Sequence, residues 1–452
     1  MLGVKTIGNA TLIAFEDVPI LATDPWFDPH GAYFGSWTLS HPVPATERQE
    51  ILDSKYIWIS HGHPDHLDAR SIAELKSNII LLPDHYGRRI YTDLKADGFN
   101  VQIMPDRKWV ELSPRIKAMC VTDYFQDAIL LVDVGGRLFV NINDAYDRAW
   151  GGLVREITAG YKERYLLKLS GYGDADMINF YDEQGNFVPP QAAQKTPVGA
   201  QIAPFMKAFN CNHFVPFSSF HRYQRTDSIW ADAYTTPADA YADQFDHRLG
   251  ELLPAFAQID AVSGDVLAIR PKEGSMAPHA PEKFGDNWSD VLEQKDIASI
   301  RQYFQRREHV WKTFGWLNFR VGGRDNRFDM DGPRDRGFTF ETPRTSLMTS
   351  IDYEVFDDLL IGNFMRTTLH GGVRLYPNFT PYVAKYADNG RAYTKSEIAD
   401  YMADYRKRAP FEFFMHSVSL RSGGRYRKLV SSDSGSFRLA KKIYVMMNPG
   451  SH

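Results

Sequence analysis

The chain has 452 residues, a formal net charge of −4, two cysteines, fourteen histidines and 13% aromatic residues. At roughly 100–200 residues per domain, that length means two or three domains, or one large core with an extension; 43% apolar against 24% charged residues exclude wholesale disorder. Cys120 and Cys211 alone rule out a disulfide scaffold, a zinc ribbon and an iron–sulfur framework, and a pI of about 6.4 speaks against nucleic acid or an anionic membrane surface as the main partner.

The opening residues, Met1-Leu2-Gly3-Val4-Lys5-Thr6, lack the charged and apolar regions of a signal peptide. No apolar run reaches the 18 or so residues that span a bilayer, so a soluble protein of the cytoplasm is expected, with no membrane partner. Residues 11–15 and 20–23 flank Asp17-Val18-Pro19 as a hairpin, which ends at Asp24-Pro25-Trp26. Residues 56–60 form a short apolar strand that stops at a polar cluster. Helical spacing over 69–76 and a strand over 78–82 follow, a succession that fits a layered α/β domain. Two apolar strands, 128–134 and 137–142, are joined by Gly135-Gly136, a strong hairpin signal. Residues 214–217 end another strand, and the core is expected to close near residue 270. A Pro-, Gly-, Lys- and Glu-rich stretch, 271–300, reads as a linker or excursion. The remaining 301–452 read as an α+β extension that roofs a substrate cleft. It holds helices at 300–310, near 353–365 and up to Arg408, the last capped by Thr394 or Ser396, and a strand over 316–321.

The chemistry is concentrated in Ser60-His61-Gly62-His63-Pro64-Asp65-His66-Leu67-Asp68. Three histidines and an aspartate lie within six residues, directly after an apolar strand. Imidazole nitrogens and carboxylate oxygens are the donors that zinc, iron and manganese take. A strand end followed by a tight turn can aim His61 and His63 at one ion, and Asp65 with His66 at a second.

These residues match the His-x-His-x-Asp-His signature of the metallo-β-lactamase superfamily, and the hairpin ending at Asp24-Pro25-Trp26 resembles that family's opening element. The resemblance covers about residues 1–270. It implies an αββα sandwich with a dinuclear metal site at one edge, His61 and His63 on the first ion, Asp65 and His66 on the second. It further implies a bridging aspartate after the Gly-containing hairpin, where Phe139-Val140-Asn141-Ile142-Asn143-Asp144 supplies Asp144. Asp65 and Asp144 are thus the residues expected closest to the reaction. The family's third histidine is missing: Cys120-Val121-Thr122-Asp123-Tyr124-Phe125-Gln126-Asp127 contains none, and counting back from Ala128 puts Asp123 in its place, with Asp127 as the alternative. For the last ligand, His221 is preferred to His213, which reads as a packed strand residue. Asp84-His85-Tyr86 is a candidate for a hydrogen bond to a ligand histidine, with a structural role for His85 as the alternative. The cluster from Gly171 to Asn179 either lines the cleft or forms a tight capping loop.

A carboxylate in place of an imidazole tilts the metal preference from zinc towards iron or manganese. Dinuclear centres of this superfamily serve hydrolases, through a metal-bridging hydroxide acting on an ester, lactone, amide or phosphodiester, and oxygenases, through two irons and O2. The missing histidine, the carboxylate-rich set and the long extension resemble the metallo-β-lactamase half of the sialic-acid (CMP-N-acetylneuraminate) hydroxylases and related non-haem diiron monooxygenases. The resemblance implies hydroxylation of a small organic or carrier-linked substrate. The two distant cysteines hold no Rieske centre, so electrons would come from a separate reductase or ferredoxin.

Overall fold

Aliphatic runs broken by Gly, Pro and Asp turns build two large sheets in the computed structural model, which describes residues 1–145, 151–170, 177–274 and 277–410. Among these residues the first sheet holds eight strands, in the order Val266–Ala268, Ala257–Asp260, Leu2–Ile7, Thr11–Glu16, Val18–Thr23, Tyr56–Trp58, Ile79–Leu82, Asn100–Ile103. From Val18–Thr23 onward its strands are parallel. The second holds seven: Glu251–Leu252, His213–Pro216, Arg164–Lys168, Arg137–Asn143, Ala128–Val134, Ile116–Thr122, Trp109–Ser113. Here Arg137–Asn143, Arg164–Lys168 and His213–Pro216 run parallel. The hairpin between Ala128–Val134 and Arg137–Asn143 turns on Gly135 and Gly136, both at positive φ (59° and 89°), the conformation that two-residue turns of this hand require.

Side-chain alternation decides the layering. Val4, Leu12, Leu21, Trp58 and Leu81 of the first sheet meet Cys120, Leu130, Val132, Phe139 and Leu167 of the second. The opposite faces, Ile13, Ile57 and Ile80 in one sheet and Leu131 and Val140 in the other, lie under helix residues Ile51, Ile72, Leu94, Val154, Ile202 and Met206. Helix, sheet, sheet and helix stack in that order, the αββα sandwich expected from the sequence.

Most of the remaining described residues form a further module around a five-stranded sheet ordered Phe180–Tyr181, Arg366–His370, Gly337–Glu341, Trp316–Val321, Arg324–Asp329. Its core is a stack of phenylalanines, among them Phe304, Phe319, Phe340, Phe356 and Phe379. Phe180–Tyr181 joins this sheet from within the first 270 residues, so the two modules interleave. Three local expectations change. The helix placed at 300–310 begins at Gln294 and is split into Gln294–Arg306 and Glu308–Thr313. The helix placed near 353–365 is shorter, Phe356–Ile361, and a further helix, Arg344–Asp352, precedes it, the two separated where Glu354 takes φ 53°. The 271–300 stretch is not a free linker: its Asp286 is buried and bonded to Arg225 and Ser346.

Helix Lys395–Arg408 is capped by Thr394, whose hydroxyl accepts from the Glu397 amide while the Glu397 carboxylate accepts from the Thr394 amide. Thr394→Ala is expected to cost about 1 kcal/mol, read as a lower denaturant midpoint.

Candidate metal centre

Parallel strands end together, and in layered α/β folds ligands gather beyond their carboxyl ends. Asp24 follows strand Val18–Thr23, His61 lies three residues beyond Tyr56–Trp58, and Asp144 follows Arg137–Asn143, so both sheets deliver donors to one edge. The backbone locks this edge: Asp24 N donates to Trp58 O (2.8 Å), and the Asp24 carboxylate accepts from Ser60 N (2.7 Å). Asn9 ties the second sheet in. Its side-chain amide donates to Asp65 Oδ2 (3.0 Å), while its Oδ1 accepts from Phe220 N (2.9 Å).

His61 Nε2 and His63 Nδ1 lie 2.9 Å apart. Two ligand atoms about 2.1 Å from one tetrahedral ion would be roughly 3.4 Å apart, so the pair is close to ligating separation. Asp144 Oδ2 sits 3.8 Å from His61 Nε2 and 3.3 Å from His66 Nε2, between the two candidate positions, and Asp144 Oδ1 accepts from Ser218 Oγ (3.1 Å). Donor atoms of His61, His63 and Asp144 all fall within 4.8 Å of one another. Asp65 Oδ2 lies 3.2 Å from His66 Nε2, and its other oxygen accepts from the Tyr33 hydroxyl (2.5 Å).

The outward-facing nitrogens are held as well. His66 Nδ1 is 3.3 Å from Asp24 Oδ2, and Asn143 Nδ2 donates to the same carboxylate (3.0 Å). Ser60 Oγ is 2.9 Å from His61 Nδ1. His63 Nε2 is 3.1 Å from Asp357 Oδ2. With a proton on each outer nitrogen, the lone pairs of His61 Nε2, His63 Nδ1 and His66 Nε2 all face the cluster, the arrangement in which outer partners fix metal-ligating histidines.

Burial pushes His61 down to about 4. Burial also lowers His63 and His66, but acids outweigh it: Asp357 lifts His63 to about 10, and Asp65 with Asp144 lifts His66. Burial alone would raise both carboxyls, yet His66 holds Asp65 far below the usual range and His66 with His61 brings Asp144 to about 2. The centre opens to solvent on the side of Asp144 and His63, whose side chains are 30% and 27% exposed, whereas His66 is wholly buried.

His221 is buried face to face against Trp37, with centroids 3.3 Å apart, on a strand pair that matches His221–Tyr223 with Trp37–Leu39. Burial holds it at about 3, against the pull of Asp65 and the Ser219 backbone. His213, the competing residue, lies away from the cluster, with Nε2 2.8 Å from Glu163 Oε2. In the turn without histidine, Asp123 Oδ1 accepts from the backbone amides of Phe125 (2.7 Å) and Asp127 (3.3 Å), closing the turn. Asp127 is the acid that turns inward, 3.9 Å from His61 Nδ1, the outer nitrogen. Of the 171–179 cluster, residues 171–176 lie outside the described residues. Asn179 bonds the carbonyls of Asn363 and Met365 in the C-terminal module. Sequence reasoning misses Asn9, Tyr33, Asn143 and Asp357. The one local signal for Asp357 is a pair of adjacent acids in an otherwise apolar helix, Phe356–Ile361.

The donor set fits a transition metal. It offers imidazole nitrogens and carboxylate oxygens, and His66 Nε2 and both His221 nitrogens are buried without a well-formed hydrogen bond among the described residues. His85 is structural: its Nδ1 is 3.2 Å from the Tyr405 hydroxyl of helix Lys395–Arg408, and burial lowers it to about 3. Folded His85 therefore stays neutral while the unfolded chain takes up a proton below about 6.5. Stability is expected to fall as pH drops from 6.5 towards 3, this group contributing roughly 1.4 kcal/mol per pH unit. In urea titrations across that window, His85→Gln should show a shallower loss than the wild type.

No family model matches the chain. Among curated proteins it is similar to the cytidine monophosphate-N-acetylneuraminic acid hydroxylase of Danio rerio, 20% identical over 322 residues, which are 66% of this chain and 53% of the relative. The chain thus spans about half the length of that protein. Among solved structures it is similar to CmlA, a diiron beta-hydroxylase from Streptomyces venezuelae (12% identity, TM-score 0.36, 57% of this chain and 54% of that one). It is also similar to isothiocyanate hydrolase from Delia radicum gut bacteria (13% identity, TM-score 0.38, 59% of this chain and 99% of that one). Those structural likenesses are distant, and the fold assignment rests on the sheet order and the strand-end motif. On those grounds the chain is an αββα sandwich with the His-x-His-x-Asp-His motif at one sheet edge, similar in fold to metallo-β-lactamase-fold proteins and, at low identity, in sequence to the CMP-N-acetylneuraminic acid hydroxylases.

Proposed function

We propose that this chain is a non-haem diiron monooxygenase that hydroxylates a small organic or carrier-linked substrate. The observation that carries the reading is the convergence of two histidines and one carboxylate, His61, His63 and Asp144. This donor combination is typical of non-haem iron oxygenases when coordination positions stay open. The similarity to a hydroxylase supports the same direction.

His61, His63 and Asp144 would hold one ion and Asp65, His66 and His221 the other, with Asp144 shared. Iron bound there would supply dioxygen binding and reduction. The protein's own part is orientation and exclusion of water. Asp24 and Asn143 hold the His66 ring at Nδ1, so that Nε2 faces inward. Tyr33 and Asn9 donate to Asp65 and fix its plane. Trp37 covers His221 and seals that wall. Substrate would enter on the open side, by Asp144 and His63. Both cysteines are buried in different layers, Cys120 between the sheets and Cys211 beneath a helix, so electrons would come from a separate reductase or ferredoxin.

Apoprotein loaded with iron or with zinc separates this reading from hydrolysis. The iron form should consume oxygen in the presence of a reductant, and neither form should turn over esters, lactones or phosphodiesters. Hydrolysis by the zinc form, with no oxygen uptake by the iron form, would replace the oxygenase with a dinuclear hydrolase, which the same histidine and carboxylate donors also serve.

A further inference from the structure

We propose that the C-terminal module is part of the metal centre, through Asp357 acting as a positioning residue for His63; this rests on His63 being a metal ligand, as above. His63 has two ring nitrogens and two neighbours: Nδ1 is 2.9 Å from His61 Nε2, and Nε2 is 3.1 Å from Asp357 Oδ2. A proton on Nε2 satisfies Asp357 and leaves the Nδ1 lone pair beside His61. A proton on Nδ1 would turn the lone pair towards a carboxylate and remove His63 from the cluster. Asp357, an acceptor only when ionised, therefore selects the ligating tautomer.

Asp357 has no Lys or Arg within ion-pairing distance among the described residues and is 7% exposed, so its charge faces the centre rather than a surface cation. His63 is its partner at ion-pairing distance among the described residues, Arg89 acts on it from further away, and its placement is rigid. Phe356 anchors the helix in the phenylalanine core, against Phe304 and Phe340. The Phe356 amide donates to Asp388 (3.2 Å). From the first module, Arg89 donates to the carbonyls of Glu354 (2.7 Å) and Asp388 (3.1 Å), strapping the segment just before the helix. The module holding Asp357 and the strand end holding His63 are thus fastened together at this point.

Asp358 supplies a matched control. It is nearly as buried (9% exposed), and its carboxylate lies within 4.8 Å of His63 and Asp357, yet no hydrogen bond links it to His63. Burial and the Asp357 charge push the Asp358 carboxyl well above the usual range, so its variant reports what loss of a buried acid beside the helix does without loss of the His63 contact.

The experiment is chelator competition with Co2+ on the full-length apoprotein, with the d–d absorption spectrum recorded for each variant. Asp357→Ala should weaken one of the two ions about 10–100-fold and alter the spectrum, as loss of an outer partner of a metal histidine does. Asp357→Glu should recover part of both, and Asp358→Ala should weaken binding less than threefold. Melting of the metal-free variants reports folding separately. Asp357→Ala binding within twofold of wild type with an unchanged spectrum would overturn the proposal, as would Asp358→Ala weakening binding equally. His63→Ala keeping both ions would contradict the metal reading itself, a result distinct from either.

Discussion

Asp144→Ala is expected to strip the protein of both metal ions, lowering affinity for each by more than the 10–100-fold typical of an outer-shell loss. One carboxylate oxygen of Asp144 lies 3.8 Å from His61 Nε2 and 3.3 Å from His66 Nε2, so its removal takes a donor from both positions at once. Loss of His61 or His66 alone removes one position. The expected pattern is therefore asymmetric. His63→Ala and His66→Ala should each leave some binding at the other position, whereas Asp144→Ala leaves little at either. Metal analysis after dialysis against a weak chelator reads this directly. Two ions retained by Asp144→Ala would remove Asp144 from the centre.

The second large effect concerns the joint between the modules. Arg225 is fully buried; its Nε and one terminal nitrogen donate to both oxygens of Asp227 (3.0 and 2.8 Å), and the other donates to Asp286 (2.7 Å) and to the Phe34 carbonyl (3.0 Å). Its guanidinium also stacks over Phe364, 4.0 Å from the ring centroid. Arg225→Ala would leave the Asp286 carboxylate, 1% exposed, bonded to Ser346 with no countercharge. Breaking a buried pair from one side costs about 3–5 kcal/mol. Arg225→Lys should restore less than half, because an ammonium cannot make the two-pronged contact with Asp227 while also reaching Asp286. Chemical denaturation of the apoprotein measures both; a loss below about 1 kcal/mol for the alanine variant would show that Asp286 finds another partner.

What could be read from the sequence was local. The strand ending before His61, the Gly135-Gly136 hairpin and the Thr394 cap each declare themselves within ten residues, because their periodicity or turn chemistry is carried by neighbours. The His-x-His-x-Asp-His spacing likewise states its metal chemistry on one turn. The parts that were not legible depend on distant partners. Asp357 reaches His63 from a helix in another module, and Asp24 reaches His66 across two parallel strands. Trp37 covers His221 only because their strands pair. The turn from Asp123 to Asp127 shows the limit most plainly. Both acids have the right composition; backbone amides hold one oxygen of Asp123, and Asp127 faces His61. The 271–300 stretch misled for a related reason: its linker-like composition hides one buried residue, Asp286, whose partners are 61 and 60 residues away.

Anaerobic titration of the metal-free chain with ferrous ion tests the central claim most directly. A dinuclear centre built on His61, His63, Asp65, His66, Asp144 and His221 predicts a break at two equivalents per chain, followed by oxygen uptake when air and a reductant are admitted. A break at one equivalent or none, or two equivalents with no oxygen consumed, would contradict it.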